Sequence, residues 1–257
     1  MSYVVINSPR LTPETIAEIP GPARGDLQRE LKFVLPLPRA GIALQFLNAL
    51  CERDARYPAA IVSTIYYDTP DLRLLFEKLD SDYLKTKVRL RWYRPLGGSL
   101  PLEGPEGAAA AFLEVKSRFG SLRNKARVTV PLAPAWLERA ELDDPALVRV
   151  VAEATRLGVE LPGPLLPALL VRYRRYRFVE PVSGTRVSLD YDVEAPRSRR
   201  GLFRSGSPAF LNDAVIEVKG ESADLPRALR PLAHLGMRRA AYSKYAAGGL
   251  AVLRALH

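Results

Sequence analysis

Six segments of this chain alternate charged and apolar residues with a period of two, and that pattern does most to limit the folds open to it. In "LKTKVRLRWY", Lys85, Lys87, Arg89 and Arg91 share one face of a strand while Val88, Leu90 and Trp92 share the other. In "RELKFVL", Glu30 and Lys32 oppose Leu31, Phe33 and Leu35. In "NKARVTV", Lys125 and Arg127 oppose Ala126, Val128 and Val130, and in "TRVSLDYDV", Arg186, Ser188, Asp190 and Asp192 oppose Val187, Leu189 and Tyr191. "AFLEVKSR" and "AVIEVKGE" then repeat one arrangement a hundred residues apart, with Glu114 beside Lys116 and Glu217 beside Lys219.

An antiparallel sheet can show such a polar face to water. Here, however, the polar positions are Arg, Lys and Glu rather than Thr, Ser and Gln. The chain also supplies amphipathic helices that need apolar sheet surface to cover. If those helices cover the outer face, the charged face turns inward around a closed or strongly curved barrel. The balance of 38 Lys plus Arg against 28 Asp plus Glu, a formal charge of +10, makes the enclosed channel basic. Unpaired buried charge is costly, so the expected occupant is an anion thin enough to thread, a triphosphate or a phosphate chain. Glu30, Glu114 and Glu217 either pair some of the cations or hold a metal. Arg suits phosphate through its planar fork of donors, Lys as a point charge.

The remaining pattern predicts an α+β fold with a mostly antiparallel sheet. Residues 1–26 are proline-dotted and aperiodic and read as an N-terminal arm; 27–257 reads as a single domain. Eight strands are expected, in "RELKF", "AIVSTIYYDT", "YLKTKVRLRWY", "AAFLEVKSR", "NKARVTVPL", "ALLVRYRRYRFVE", "TRVSLDYDVE" and "DAVIEVKGE". Helices are expected after Pro38, with Ile42, Phe46, Leu47 and Leu50 as the apolar stripe, and after Pro70. One or two more fall within 134–158, capped by Asp143 or Asp144. Two close the chain, around "ADLPRALRPLAHLG" and "SKYAAGGLAVLRAL", the latter with Ser243 as its cap. The Arg-rich stretch Arg197–Phe203 reads either as a clamp on a phosphate chain or as a solvated charge run.

Several chemistries are excluded. One cysteine, Cys51, and two histidines, His234 and His257, leave no thiolate or multi-histidine metal centre, so any metal is a hard ion held by carboxylates. Cys51 is expected in the core and His234 at a surface or helix end. No glycine precedes Lys-Ser or Lys-Thr, so there is no P-loop. The aromatics in "VRLRWYR" and "VRYRRYRF" are assigned to the apolar outer face, Trp92, Tyr173 and Phe178 among them, rather than to a nucleic-acid stacking platform. No DNA or RNA partner is expected. The absence of a signal-like N-terminus and of a run of about 20 apolar residues points to a cytoplasmic protein with no membrane span.

From about Arg29 to Gly249 the order and spacing of "RELKF", "STIYYDTPDL", "VRLRWY", "FLEVKSR", "YRRYRF", "RVSLD", "VIEVKG" and "SKY" resemble the VTC domain. This is the polyphosphate polymerase domain of the vacuolar transporter chaperone complex, within the triphosphate tunnel metalloenzymes that include the CYTH domains. The resemblance implies an eight-stranded antiparallel β-barrel, open as a triphosphate tunnel, with flanking helices. It implies transfer of the γ-phosphate of ATP, or of another triphosphate, to a growing polyphosphate chain. By motif, the phosphate-binding residues would be Lys32, Arg89, Arg91, Lys116, Arg175, Arg186, Lys219 and Lys244, and the catalytic set Arg89, Arg91, Lys116 and Glu217. Mn2+ or Mg2+ would be held by Glu217 with Glu30 and Glu114. Arg172 is an alternative to Arg175, because "VRYRRYRF" puts arginines on both faces. The CYTH pattern of Glu, any, Glu, any, Lys is broken here by Gln28, which counts against a triphosphatase or cyclase. No phosphate-sensing domain precedes the barrel and no membrane helices follow it, so any polymer is expected to stay where it is made. A hydrolase on the same tunnel and a non-catalytic polyanion-binding module are the alternatives.

Overall fold

A computed structural model describes residues 29–79, 84–96, 111–119, 122–156, 161, 163–203 and 208–254, with 84–85, 118–119, 122–124 and 153–156 described by their backbone only. The expected arm, Gln28 and His257 lie outside the described residues. In chain order the elements are β1 (Arg29–Pro36), α1 (Ala40–Leu50), β2 (Glu52–Arg53), β3 (Ala59–Asp68), α2 (Arg73–Leu79), β4 (Leu84–Pro95), β5 (Ala111–Phe119), β6 (Leu122–Val130), α3 (Pro134–Leu137), α4 (Pro145–Arg156), β7 (Leu166–Val179), β8 (Arg186–Ser198), β9 (Ala209–Phe210), β10 (Asp213–Gly220), β11 (Arg238–Arg239) and α5 (Lys244–Arg254).

All eight expected strands form, and they share one antiparallel sheet in the order β11-β1-β10-β8-β7-β3-β4-β5-β6, with β2 added to β7 and β9 to β8. The sheet thus has 11 strands and is not closed, which corrects the expected eight-stranded barrel. The reason lies at β1. Its outer edge is taken by β11, Phe33 facing Arg239 and Val34 facing Arg238, and by the Ala240 N–H, which donates to the Lys32 carbonyl. That backbone is not available to β6.

Helices cover the outer face, as the two-faced strands require. α3 and α4 pack Leu137, Leu147, Val150 and Val151 on Leu90, Trp92, Leu113, Val128 and Val130. α1 buries Ala40, Ala43 and Leu47 against Leu31, Leu189, Ile216 and Val218. Of the expected stripe, Leu47 is fully buried and Phe46 and Leu50 pack partly buried against this core, while Ile42 stays exposed. Cys51 is buried in the same core. Each fully buried Leu or Val here is worth about 2 kcal/mol of transfer energy.

Helix boundaries follow local chemistry. The Asp68 carboxylate accepts N–H bonds from Leu74 at 2.8 Å and Leu75 at 2.9 Å, fastening the start of α2. Asp144, rather than Asp143, accepts the Ala146 N–H at 2.8 Å. The expected helix near "ADLPRALRPLAHLG" is a 3-10 segment, Arg227–Leu235, because Pro231 lies inside it and cannot donate to an α-helical ladder. His234 is exposed at its end, as expected.

Candidate functional site

Directly opposed residues in an antiparallel pair share a face, so the register identifies the inner wall. Arg127 on β6 faces Glu114 on β5, and Glu114 faces Arg89 on β4. Tyr66 on β3 faces Arg89, and Thr64 faces Arg91. Across β7, Arg175 faces Asp190 on β8; Ser188 faces Glu217 on β10; and Glu217 faces Lys32 on β1. Lys219 faces Glu30 and Arg186. One charged belt therefore runs across the concave face of the whole sheet.

α5 completes it from above. Its glycines allow the approach: a Cβ on Gly248 would lie 3.2 Å from Leu169 Cδ2, and one on Gly249 the same distance from Leu75 Cδ2. Ser243 caps the helix, and Tyr245 stacks on Tyr66 with centroids 4.9 Å apart. Lys244, at the first turn, is thereby lowered into the belt.

Two carboxylate centres result. In one, Glu114 accepts from Arg89 Nε at 2.7 Å, with Arg91 at 3.9 Å and Arg127 at 3.8 Å. Burial works to raise the Glu114 carboxyl, but Arg89 and Arg91 outweigh it and hold the group far below the usual range. In the other, Asp190, fully buried, takes both Arg175 Nε and Nη2 at 2.6 Å and Lys244 Nζ at 2.5 Å. Glu217 lies beside it, 3.2 Å from Arg175, 3.5 Å from Lys244 and 3.8 Å from Lys32. Burial again opposes ionisation, and Lys244, Arg175 and Lys32 overcome it, so Glu217 stays ionised well below the ordinary pH.

The cations are not all matched. Lys116 makes no ion pair among the described residues; burial first, then Arg89, pushes its amine down to about 8. Lys219 depresses it as well, although Lys116 is on β5 and Lys219 on β10, so the open sheet still curves enough to bring those two walls within electrostatic reach. The buried hydroxyl of Tyr242 has no hydrogen-bond partner, while its carbonyl accepts Lys32 Nζ at 3.3 Å.

The sequence-predicted residues fall out as follows. Lys32, Arg89, Arg91, Lys116, Arg175, Glu217, Lys219 and Lys244 share the concave belt; Arg186 is exposed at its rim, on the register of Lys219. Arg175, not Arg172, faces inward. Arg172 reaches outward to Glu138 and Glu194, where Glu138 also accepts from Trp92 Nε1 at 2.7 Å and Ser63 Oγ at 3.0 Å. Asp192 leaves the expected face because the β7–β8 register shifts around it and its φ is +51°; it pairs outside with Arg174 at 3.1 Å. Tyr173 is on the inner face, not the outer one: Lys244 Nζ stands 4.6 Å from its ring centroid. Arg197 and Arg199 neither clamp nor solvate. They donate to the carbonyls of Leu137, Ala140 and Leu142 and tie down the segment around α3, while Phe203 is fully buried.

Asp190 and Tyr173 were not singled out from sequence as site residues. Asp190 was legible only as one acid in an alternating strand, and Tyr173 required the register of β7. Glu30, Glu114 and Glu217 do not form one cluster: among the described residues no group of three or more His, Cys, Asp or Glu could hold a metal ion. The cation contacts of Glu217 Oε1 are the longer 3.5 and 3.8 Å distances to Lys244 and Lys32. Glu30 is more open, paired with Lys32 at 3.0 Å and Lys219 at 3.7 Å.

The sequence profile of the VTC domain matches residues 30–253, nearly the whole chain. The chain belongs to the VTC domain family. No curated protein matches it in sequence. Among solved structures, a Hippeastrum protein first assigned as an adenylyl cyclase and described as having a dominant triphosphatase activity is 19% identical, with 88% of this chain and 94% of that one aligned and a TM-score of 0.39. Proteins provisionally classed as adenylate cyclases from Bacillus halodurans (14% identical, 84% and 92% aligned, TM-score 0.43) and Vibrio parahaemolyticus (14%, 86% and 96%, 0.41) are similar to this VTC domain to the same extent. No helix among the described residues is long and apolar enough to cross a membrane.

Proposed function

We propose that this VTC domain is a metal-dependent phosphotransferase that extends inorganic polyphosphate with the γ-phosphate of ATP. The observation that carries the reading is the only partly compensated cationic wall: Lys116, which makes no ion pair among the described residues, lies beside Arg89 and faces Lys219 across the concave side. Glu114 offsets part of that repulsion, and a bound polyanion would relieve the rest.

Phosphoryl transfer asks for positioning and charge neutralisation more than for covalent catalysis, which suits a site with no reactive His or Cys. Arg89, Arg91 and Lys116 bind the triphosphate oxygens; Lys32, Arg175 and Lys219 hold the opposite side. An anionic oxygen at the end of the acceptor chain forms a bond to the γ-phosphorus, the bond from that phosphorus to the bridging oxygen breaks, and ADP leaves with the electron pair. The acceptor oxygen is already deprotonated at neutral pH, so no general base is needed. Small hard ions bind through one or two carboxylates plus phosphate oxygens, and Glu217 with Glu30 fits that demand. A bound Mn2+ or Mg2+ would neutralise charge on the phosphate oxygens as a Lewis acid. Glu114, enclosed by three guanidiniums, instead orients Arg89 and Arg91. Lys244 and Asp190 position Glu217.

The test is incubation of the purified protein with ATP, Mn2+ and a short polyphosphate primer, followed by phosphorus NMR and gel electrophoresis. Growth of internal phosphate signals with ADP, lost in Glu217→Gln, is the expected result. Orthophosphate without polymer would make it a hydrolase, and tight binding without turnover a binding module.

A further inference from the structure

Two residues outside the charged belt meet at a single buried carboxylate. Asp68 ends β3, and Tyr245 follows Lys244 in α5, 177 positions further along the chain. The Tyr245 hydroxyl donates to Asp68 Oδ2 at 2.5 Å, and both side chains are buried. The same Oδ2 accepts the Leu75 N–H at 2.9 Å, while Oδ1 accepts those of Thr69 and Leu74 at 2.8 Å each. Asp68 therefore caps α2 and holds α5 at once. An anion this deep is costly unless donors surround it. Among the described residues no lysine or arginine pairs with Asp68, so these N–H groups, the Thr69 hydroxyl at 3.4 Å and one phenol supply them. An asparagine would turn its amide nitrogen toward an N–H donor in either orientation, so the position needs acceptors on both sides. Burial first, and then Asp68, push the Tyr245 phenol well above the ordinary tyrosine range, which keeps it a donor.

The consequence of this bond lies in where it holds the helix. The chain enters α5 from β1, where the Ala240 N–H donates to the Lys32 carbonyl at 3.0 Å and Lys32 Nζ to the Tyr242 carbonyl at 3.3 Å. Tyr245 fastens the other side to β3, through Asp68 and through its stack on Tyr66. In the sheet β10, β8 and β7 lie between β1 and β3. The first turn of α5 thus spans the concave face, and Lys244 is held between two anchors with its amine on Asp190 of β8 and Glu217 of β10. Leu75, whose N–H shares Oδ2 with the phenol, also lies against Gly249, so α2 and α5 are fastened to each other at two points.

We propose that Asp68 is a positioning residue of the site: through the Tyr245 hydroxyl it holds Lys244 on Asp190 and Glu217, and by capping α2 with the same carboxylate it makes that placement depend on a folded α2. What Lys244 does for turnover rests on the phosphotransferase reading; where its amine stands does not.

The experiment uses Tyr245→Phe, which keeps the ring on Tyr66 and the cap on α2 but removes the hydroxyl. Asp68→Asn, which disturbs the cap as well, is the second variant. Tyr67→Phe is the control, because it deletes another buried phenol bond, to the Leu147 carbonyl at 2.9 Å, on the helix-covered face. Each protein is acetylated lightly below its melting temperature, the labelling rates of Lys244 and Lys219 are read by mass spectrometry, and ATP turnover with Mn2+ is followed separately. Lys244 is buried and ion-paired, so the parent labels slowly there. In Tyr245→Phe, Lys244 labelling should rise by about tenfold or more, with Lys219 within about twofold. Its kcat should fall by about tenfold, with the KM for ATP within about twofold, since the arginine wall is untouched. Tyr67→Phe should do neither, and Asp68→Asn/Tyr245→Phe should label no faster than the faster single variant, because both cut one link. Unchanged Lys244 labelling in Tyr245→Phe, or a rise shared equally by Lys219 or by the control, overturns the positioning role; an exposed Lys244 with kcat intact overturns its part in turnover. If labelling rises as expected but the parent never consumes ATP, the positioning role stands and the transferase reading falls. If the parent polymerises ATP and Tyr245→Phe neither exposes Lys244 nor slows, the reverse holds.

Discussion

Arg172 and Arg175 are three residues apart on β7 and serve opposite faces of the sheet. The first bonds Glu138 and Glu194 on the helix-covered side, and the second holds Asp190 and Glu217 on the concave side. An odd separation on a strand reverses the face, so a single alternating run supplies both the fastening of α3 and the floor of the site.

Arg172→Met should destabilise the protein by about 1–3 kcal/mol, because Glu138 and Glu194 lose a charged donor. Its affinity for tripolyphosphate should stay within about twofold. Arg175→Lys should do the opposite, keeping the charge but losing the two-pronged bond to Asp190, with little change in melting and a clear loss of phosphate affinity. Titration calorimetry beside thermal melting separates them; parallel effects in the two variants would contradict the two-face assignment.

The Lys244–Asp190 pair yields a second expectation. Breaking a buried pair from one side costs about 3–5 kcal/mol because the remaining charge is stranded, whereas removing both charges costs far less. Lys244→Met should therefore lower stability sharply. Lys244→Met/Asp190→Asn should recover part of the loss despite carrying more substitutions. A strictly additive double mutant would show that the two groups do not interact.

Much of this was legible because charge alternation is strong in the long strands. Six of the eight expected strands, and the inward turn of Lys32, Arg89, Arg91, Lys116 and Glu217, follow from period-two patterning and the need to cover an apolar outer face. What escaped depends on contacts that leave no periodic trace. β2, β9 and β11 are two residues each, too short to show a pattern, and β11 is the strand that occupies the edge of β1. The turn of Asp192 out of the site depends on one residue at positive φ, with no glycine to announce it. The basic run Arg197–Phe203 was ambiguous because the carbonyls that bind Arg197 and Arg199 come from residues 137–142, some sixty positions earlier.

Acid should unfold the protein through its paired carboxylates. Glu114 and Glu217 have an ordinary value of 4.5, and both lie below it in the folded chain, held there by Arg89 and by Lys244. Below about pH 5 the unfolded chain therefore binds more protons than the folded one, so stability is full above that point and falls as pH drops. The melting temperature should be level from pH 7 to about 5 and then decline. Glu114→Gln should melt lower at pH 7 yet show a shallower acid decline; an unchanged slope would mean that Glu114 is not a source of the acid sensitivity.

Lys116 titrates at the other end of the scale. With its amine pushed down to about 8, it carries its full charge at pH 7 and little at pH 9.5. Phosphate binds the charged form, so tripolyphosphate affinity should weaken as pH rises through 8. Lys116→Arg should remove most of that dependence, since arginine stays protonated throughout. The stability effect has the opposite sign. A lysine whose folded value is depressed below 10.5 destabilises the empty protein while charged, so melting should improve slightly between pH 8 and 10. Affinity falling while melting improves, over one pH interval, is a combination that general alkaline unfolding would not produce.

Gly248 sets how deeply α5 rests on the sheet, and through it the height of Lys244. The Cβ of an alanine would meet Leu169 Cδ2 at 3.2 Å, a contact that a small side-chain shift absorbs, and alanine gains about 1 kcal/mol in helix propensity. Gly248→Ala should thus be close to neutral in melting. Gly248→Val adds two methyl groups against Leu169, Val171 and Ala195, with an overpacking cost of about 1–3 kcal/mol. Lifting the helix draws Lys244 away from Asp190 and Glu217, so the valine variant should also lose turnover beyond what its stability loss explains at a temperature where it stays folded. Full turnover in a folded Gly248→Val protein would show that the height of α5 does not govern the site.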